Sequence, residues 1–177
     1  MRSTIVALSI VLGTSTSALA GPQDPSKFDA TPYTAQKALY DFNFAQPLEG
    51  KRALGFVKNH LKAMKEYGDL ENSHIVVVAH GNELHAFSRL NQALYKDMYD
   101  ELKALKDQGV TFTVCANAAR SRGYKPEDFY DVITVVPAAV IDIAKWQNQG
   151  YSYMYPALFP RITRDELVAK NPELDMQ

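Results

Sequence analysis

The feature of the sequence that most constrains the fold is a set of three short apolar runs. Ile75–Ala79, Val110–Val114 and Val132–Val136 are rich in β-branched residues and contain no charged residue. Apolar runs of this length are typical of parallel strands that are covered on both faces. The sequence therefore predicts an α/β domain built on a mostly parallel sheet.

Two further strands and four helices complete the predicted order. Ala38–Phe44 and Tyr151–Tyr155 have side chains that alternate in character, and this period of two predicts the first and the last strand. Helices are predicted where apolar residues lie three or four positions apart or where alanine is abundant, namely over Lys51–Tyr67, over Gln92–Gln108, directly after Cys115, and over Pro137–Trp146. We expect one doubly wound α/β domain with a mostly parallel five-stranded sheet and helices on both faces.

The last of these helices carries one apolar stripe. Val140, Ile143 and Ala144 are spaced so that they share one side of the helix, and we expect them to face the sheet. Asp142 and Lys145 lie outside the stripe. We expect both to be solvated.

The first twenty residues have the pattern of a secretory signal peptide. Arg2 precedes an apolar run from Ile5 to Leu12, and Ala18-Leu19-Ala20 ends the stretch with small residues at a cleavage site. The alternative is a membrane anchor, but the apolar run is shorter than the roughly 18 to 20 residues that a spanning helix needs. We therefore expect cleavage after residue 20 and a periplasmic or secreted protein with no membrane contact after cleavage.

The remaining chain has a nearly balanced charge. Of 19 basic and 20 acidic side chains, residues 1–20 contain one Arg and no acid, which leaves 18 basic side chains and a net charge of −2. This balance gives no indication of a nucleic-acid partner. We expect an extended arm over residues 21–37, the α/β domain over 38–156, and a tail over 157–177 that carries a Thr163-x-x-Glu166 capping box.

The chain has a single cysteine, Cys115, where the Val110–Val114 strand meets an Ala-rich helix. Ligands of open α/β sheets collect at the carboxyl ends of strands, and unpaired amides at a helix start stabilise an anion such as a thiolate. An unpaired cysteine in an exported protein also indicates a reactive thiol or intermolecular pairing. The alternative is a small buried hydrophobe, since free cysteines are among the most buried residues.

A second polar group, His80-Gly81-Asn82, follows the Ile75–Ala79 strand directly. Because the carboxyl ends of parallel strands meet at one edge of a sheet, we expect this loop to share a pocket with Cys115–Asn117. In that pocket the amides after Cys115 would stabilise a sulfur anion, Asn82 and Asn117 would donate hydrogen bonds, and His80 would supply a proton or a charge.

Two alternatives exist for the His80 loop. In the first, His80 hydrogen-bonds to loop backbone and takes no part in chemistry. In the second, His80, Glu83 and His85 bind zinc, but their spacing matches no established site and the chain has only one cysteine. We expect no metal site.

Cys115 is followed by Ala118-Ala119 and then by Arg122-Gly123. This pattern resembles the sulfur-relay family of DsrE-like proteins, which includes subunits of tRNA thiolation. The segments Ile75–Gly81 and Val135–Pro156 look like the stand-alone DsrE/DsrF-like branch of that family. The resemblance extends over roughly residues 38–156 and implies the same α/β fold.

The resemblance also implies a function, in which Cys115 carries sulfane sulfur as a persulfide. His80, Gly81, Asn82, Ala116, Asn117 and Arg122 are then the candidate binding residues, and no cofactor is expected. The partners would be a sulfur donor or acceptor protein, or a small thiol. Family members assemble as dimers, trimers or hexamers, and the aromatic residues Tyr95, Tyr99, Tyr151, Tyr153 and Tyr155 are compatible with such interfaces.

A rival function has no chemistry at Cys115. The protein would then be a non-catalytic, oligomeric binding or assembly module with a structural cysteine. Its composition and near-neutral net charge fit either function equally well. Cytoplasmic tRNA thiolation is not expected of a chain that is exported.

Overall fold

The structure of the protein, a computed structural model, describes residues 21–176. The predicted signal peptide at residues 1–20 lies outside the described residues. The chain divides into two units after Ala30. In the described part of the first unit, the amide of Asp24 donates to the carbonyl of Gly21 (3.1 Å) and closes a turn. The strands and helices that the structure describes all belong to the second unit.

Strands and helices alternate along residues 37–170. The strands are β1 (Lys37–Phe42), β2 (His74–Ala79), β3 (Thr111–Cys115), β4 (Ile133–Val136) and β5 (Ser152–Met154). The α-helices are α1 (Pro47–Tyr67), α2 (Leu84–Phe87), α3 (Met98–Lys106), α4 (Ala116–Ser121), α5 (Ala139–Asn148) and α6 (Arg164–Lys170). Short 3-10 helices cover Arg89–Asn91, Pro126–Asp128 and Pro172–Met176.

The five strands form one parallel sheet in the order β4-β3-β2-β1-β5. The chain steps outward from β1 to β4, and α5 then returns it to the opposite edge, where β5 pairs with β1. Parallel neighbours need such crossover connections, and here helices supply them. The predicted five-stranded α/β fold is confirmed, with every strand parallel.

Helices cover both faces of the sheet, as predicted. On one face α1 contributes Leu54, Val57 and Leu61, and α3 contributes Leu102 and Leu105, to the main core cluster. On the other face α5 packs through Ala139 over a smaller layer of Leu39, Val76, Val78 and Cys115. Apolar burial on two faces accounts for the continuous apolar character of β2.

The predicted helix over Gln92–Gln108 is wrong in its first third, since α3 begins only at Met98. The amides of Leu94 and Tyr95 both bond to the carbonyl of Asn91 and form turns instead. Leu94, near the start of the predicted helix, is 74% exposed. An apolar residue that does not face the core adds nothing to the stability of a helix.

The orientation predicted for α5 is wrong in two respects. Asp142, expected in solvent, is only 4% exposed and accepts hydrogen bonds from Thr113 Oγ1 (2.9 Å) and Trp146 Nε1 (3.1 Å). Val140 and Ala144, expected to face the sheet, are exposed. The helix is rotated because the buried hydroxyl of Thr113 and the indole need an acceptor, and Asp142 supplies it.

The tail contains the predicted capping box. Thr163 Oγ1 accepts from the amide of Glu166 (3.1 Å), and the Glu166 carboxylate accepts from the amide of Thr163 (2.8 Å), so both residues cap the start of α6. None of the helices described between residues 21 and 176 is long and apolar enough to cross a bilayer.

Candidate functional site

The carboxyl ends of β2 and β3 bring His80 and Cys115 to the same edge of the sheet. Ala79 pairs with Val114 in the register of these two strands. His80 follows Ala79 directly, and Cys115 follows Val114 directly. The two residues therefore occupy corresponding positions at neighbouring strand ends, where parallel strands lie about 5 Å apart.

Both residues also belong to the face of the sheet that α5 covers. Cys115 packs in one layer with Leu39 and Val78. Asp41 is two residues after Leu39 and so shares this face, because side chains alternate along a strand. Since His80 contacts Asp41, this edge presents Asp41, His80 and Cys115 from three successive strand ends.

Asp41 is a buried carboxylate with two side-chain donors. His80 Nε2 donates to Oδ1 (2.7 Å), and the hydroxyl of Tyr153 donates to Oδ2. Burial raises the pKa of Asp41, but the hydrogen bonds from His80 and Tyr153 and the charge of His80 together outweigh burial and leave the pKa below its ordinary value. The carboxyl group is therefore ionised at neutral pH.

Tyr153 reaches Asp41 from β5, on the side away from β2. Burial, and then the hydrogen bond to Asp41 and the charge of that carboxylate, raise the pKa of Tyr153 to about 12. The phenol thus stays protonated and remains a donor at every physiological pH.

The sulfur of Cys115 belongs to a buried residue and accepts a hydrogen bond. Its side chain is free of any disulfide and the residue is 6% exposed. Its Sγ accepts a hydrogen bond from the amide of Ala118 (3.3 Å) at the first turn of α4. An N–H donor aimed at sulfur stabilises negative charge on that sulfur.

Arg122 and Asn82 link the two loops that flank this edge. Arg122 Nε donates to Asn82 Oδ1 (3.0 Å), and Arg122 Nη1 donates to the carbonyl of Ala118 (3.0 Å). Asn82 Nδ2 in turn donates to the carbonyl of Ala45 (2.8 Å). These contacts hold the loops after β1 and β2 against α4, so Arg122 has a structural role between these loops.

Two predicted binding residues stand further from this network. Ala116 is the first residue of α4 and is partly buried. Asn117 is exposed, and its Oδ1 accepts a hydrogen bond from Arg120 (3.1 Å).

The sequence also matches a known family. The model of the DsrE/DsrF-like family matches residues 34–156, which is more than half of the chain. This chain belongs to the DsrE/DsrF-like family. A solved structure of a protein of unknown function from Methanobacterium thermoautotrophicum is similar, with 25% identity, a TM-score of 0.51, and coverage of 71% of this chain and 99% of that chain. No curated protein matches this chain.

In this DsrE/DsrF-like chain, Glu83 fixes the position of the His80 loop. Its carboxylate is fully buried and accepts from the amides of Gly81 (2.7 Å) and Phe44 (3.0 Å). Burial raises the pKa of Glu83 against the opposing effect of these two bonds. Gly81 lies against Phe44 so closely that a Cβ at this position would be 2.7 Å from the Phe44 carbonyl oxygen.

The side chains of the alternative zinc site do not converge. Glu83 points to backbone amides, His80 points to Asp41, and His85 Nδ1 is hydrogen-bonded to the hydroxyl of Tyr124 (2.8 Å). Within residues 21–176 no group of three or more His, Cys, Asp and Glu side chains is placed to hold a metal ion.

Sequence reasoning missed Asp41, and it considered Tyr153 only for an interface and Glu83 only for the alternative zinc site. Asp41 is the only charged residue in the ALYDFNF run. A charged residue inside a strand that lies between two others is a signal for a buried, partnered group. That signal was available, but the partners of Asp41 were not, because they lie 39 and 112 positions away.

Proposed function

We propose that the protein is a sulfur carrier in which Cys115 takes up a sulfane sulfur, holds it as a persulfide and passes it to an acceptor. Membership of the DsrE/DsrF-like family supports this proposal. The observation that carries it is the position of Cys115 at the strand edge beside His80, with its sulfur accepting the Ala118 amide.

The uptake step is a transfer between sulfur atoms. The Cys115 thiolate attacks the outer sulfur of a donor R–S–SH, and the S–S bond of the donor breaks as the new S–S bond forms. The products are Cys115–S–SH and R–SH, so the thiol proton of Cys115 ends on the leaving thiol. No oxidant is consumed, because the sulfane sulfur arrives already oxidised.

The loops around Cys115 have matching roles in this proposal. The Ala118 amide stabilises the sulfur anion before attack. Arg122 and Asn82 hold the edge in shape, and the exposed amide side chain of Asn117 contacts an incoming donor. Ala116 adds no bulk beside Cys115, and Gly81 lets the loop after β2 pack closely against Phe44.

We place this carrier outside the cytoplasm, in the periplasm or secreted, after removal of residues 1–20. N-terminal sequencing of the protein from the periplasm or medium is expected to begin at Gly21. Recovery of the intact chain from the cytoplasm alone would contradict the export.

We also propose a homo-oligomer, with a donor or acceptor protein or a small thiol as its partner. Tyr153, Met154 and Tyr155 expose 45%, 37% and 55% of their surfaces along the β5 edge, which supports an interface there. Edge strands that expose apolar side chains pair readily with a second chain. A monomeric mass by light scattering would contradict the oligomer.

The sulfur-carrier function is tested by intact mass. Mature protein incubated with polysulfide is expected to gain steps of about 32 Da, the mass of one added sulfur atom. Cys115→Ser is the control and is expected to gain nothing. Equal gain in both proteins, or gain in neither, would contradict the proposal.

The second candidate is the binding or assembly module with a structural cysteine. The low exposure of Cys115, at 6%, favours it. Labelling by a small alkylating reagent separates the two functions, because a structural thiol reacts only after denaturant is added. Rapid labelling of the native protein would exclude this candidate.

A further inference from the structure

We propose that Asp41 is a positioning residue that holds His80 in one tautomer, so that Nδ1 of His80 exchanges a proton with the Cys115 thiol. This inference rests on the proposed function, since it supplies the proton acceptor that uptake of sulfur needs. It adds two residues, Asp41 and Tyr153, to which neither the family pattern nor the strand-edge rule points.

The hydrogen bond to Asp41 determines which nitrogen of His80 carries the proton. An ionised carboxylate only accepts hydrogen bonds, so the nitrogen that faces it must donate. That nitrogen is Nε2, at 2.7 Å from Asp41 Oδ1. In the neutral ring Nδ1 is then the bare nitrogen and the base.

The direction of the ring leaves Nδ1 free for Cys115. The two nitrogens of an imidazole point in diverging directions, and Nε2 is directed to β1. Nδ1 is therefore directed away from β1, and β3 with Cys115 is the strand on the other side of β2. Nδ1 of His80 has no hydrogen-bond partner in residues 21–176 of the structure, and 23% of the side chain remains exposed.

The titratable groups near His80 come from several elements. Asp41 contacts it directly from β1, and the carboxylate of Glu83 acts on it electrostatically from the start of α2. Tyr153, from β5, is neutral and fixes the second oxygen of Asp41. Cys115 lies at the corresponding position of β3.

In the exchange, Asp41 stays hydrogen-bonded to the imidazolium that forms when the thiol loses its proton. The proton moves from Cys115 Sγ to His80 Nδ1, while the Nε2 proton stays on its bond to Asp41. A thiolate and an imidazolium result, and the total charge is unchanged. When the donor's thiolate leaves during sulfur uptake, the Nδ1 proton passes to it and the imidazole returns to its neutral state. Reactive thiols of other proteins are activated by the same arrangement of a nucleophile, a base and a third group that orients the base.

The test is the rate at which iodoacetamide alkylates Cys115, measured at about pH 7 and at about pH 9.5, where a thiol ionises without assistance. The quantity compared is the ratio of the two rates. A change in access to the sulfur alters both rates alike and cancels, whereas loss of the proton acceptor lowers only the rate at pH 7.

His80→Gln is expected to lower the ratio by about tenfold or more, and Asp41→Asn by a smaller factor. His74→Gln is the matched control, because His74 lies on the same strand and face at the opposite edge, where Nε2 contacts Thr111 (3.0 Å). Its ratio is expected to equal that of wild type. An unchanged ratio in His80→Gln, or an equal fall in His74→Gln, would overturn the inference.

A measurement on the unmutated protein keeps the test valid if a variant fails to fold. Long-range ¹H–¹⁵N NMR correlations of the neutral His80 ring are expected to place the proton on Nε2. A proton on Nδ1 would overturn the inference. Alkylation needs no sulfur donor, so a fall in the rate ratio without any gain of 32 Da would contradict the carrier function alone.

Discussion

Replacement of Gly81 by alanine is expected to destabilise the protein by about 3–5 kcal/mol. The added Cβ would lie 2.5 Å from Glu83 Oε2 and 2.7 Å from the carbonyl oxygen of Phe44, where ordinary contacts begin at 3.4 Å. The loop after β2 must therefore move by most of an ångström away from the loop after β1.

The methyl group also meets the amide nitrogen of Phe44, and the two oxygens that it meets are hydrogen-bond acceptors. Glu83 Oε2 accepts from the Phe44 amide (3.0 Å), and the Phe44 carbonyl accepts from the Asn82 amide (2.8 Å). Loss of two such bonds costs about 1 kcal/mol each, and overpacking adds about 1–3 kcal/mol, which gives the stated range.

The measurement is the free energy of unfolding from a urea titration, followed by circular dichroism and by the fluorescence of the single tryptophan, Trp146. Gly55→Ala is the matched control. A Cβ at Gly55, inside α1, meets nothing within 4 Å, so alanine there is expected to stabilise the protein by about 0.5–1 kcal/mol. A loss below about 1 kcal/mol in Gly81→Ala would refute the reasoning, since it would mean that the two loops separate freely.

Three further predictions concern buried polar groups. Asp142→Ala is expected to lower the free energy of unfolding by about 2–4 kcal/mol in the same urea titration. It leaves the Trp146 indole without an acceptor and leaves the Thr113 hydroxyl with only its long bond to the Val77 carbonyl (3.5 Å). Asp142→Asn keeps an acceptor oxygen and is expected to cost about 1 kcal/mol or less. The pKa of Asp41 is lowered, so the stabilisation from its ionised form is present above about pH 4 and is lost as the pH falls further. The difference in unfolding free energy between wild type and Asp41→Asn is therefore expected to shrink in acid titrations. A difference that grows in acid would contradict the lowered pKa. The pKa of Tyr153 is raised to about 12, so the stabilisation from its protonated phenol is complete below about pH 10 and is lost as the pH rises towards 12. Subtracting the phenolate absorbance of Tyr153→Phe from that of wild type is expected to leave a titration step near pH 12. A step near pH 10 would contradict the raised pKa.

The strands that form the middle of the sheet were predictable from local sequence, and the reason is their burial. Ile75–Ala79 is apolar because both of its faces are covered, so its composition records its position directly. The position of His80 and Cys115 at one edge of the sheet was also predictable, because it follows from two parallel strands that end there. Neither inference needs contacts between distant parts of the chain.

The errors arose where distant residues decide the structure. Asp142 looks like a surface residue of α5 until Thr113, 29 positions earlier, is known to need its carboxylate. The bonds of Asp41 span even longer separations. Local periodicity contains no information about such partners, because a polar residue that is solvated and one that is paired in the interior have the same pattern.

The position of β5 has a consequence for the order in which the protein assembles. Within residues 21–176, β5 is the last strand and pairs only with β1, the first, through Ala38 and Ser152 and their neighbours. During synthesis from the N-terminus, β1 to β4 can associate while one side of β1 still lacks a partner. Contacts between such distant residues close slowly, since a long loop must be ordered before they form. Asp41 therefore has only His80 as a side-chain donor in the nascent chain, and it gains Tyr153 when the sheet is completed.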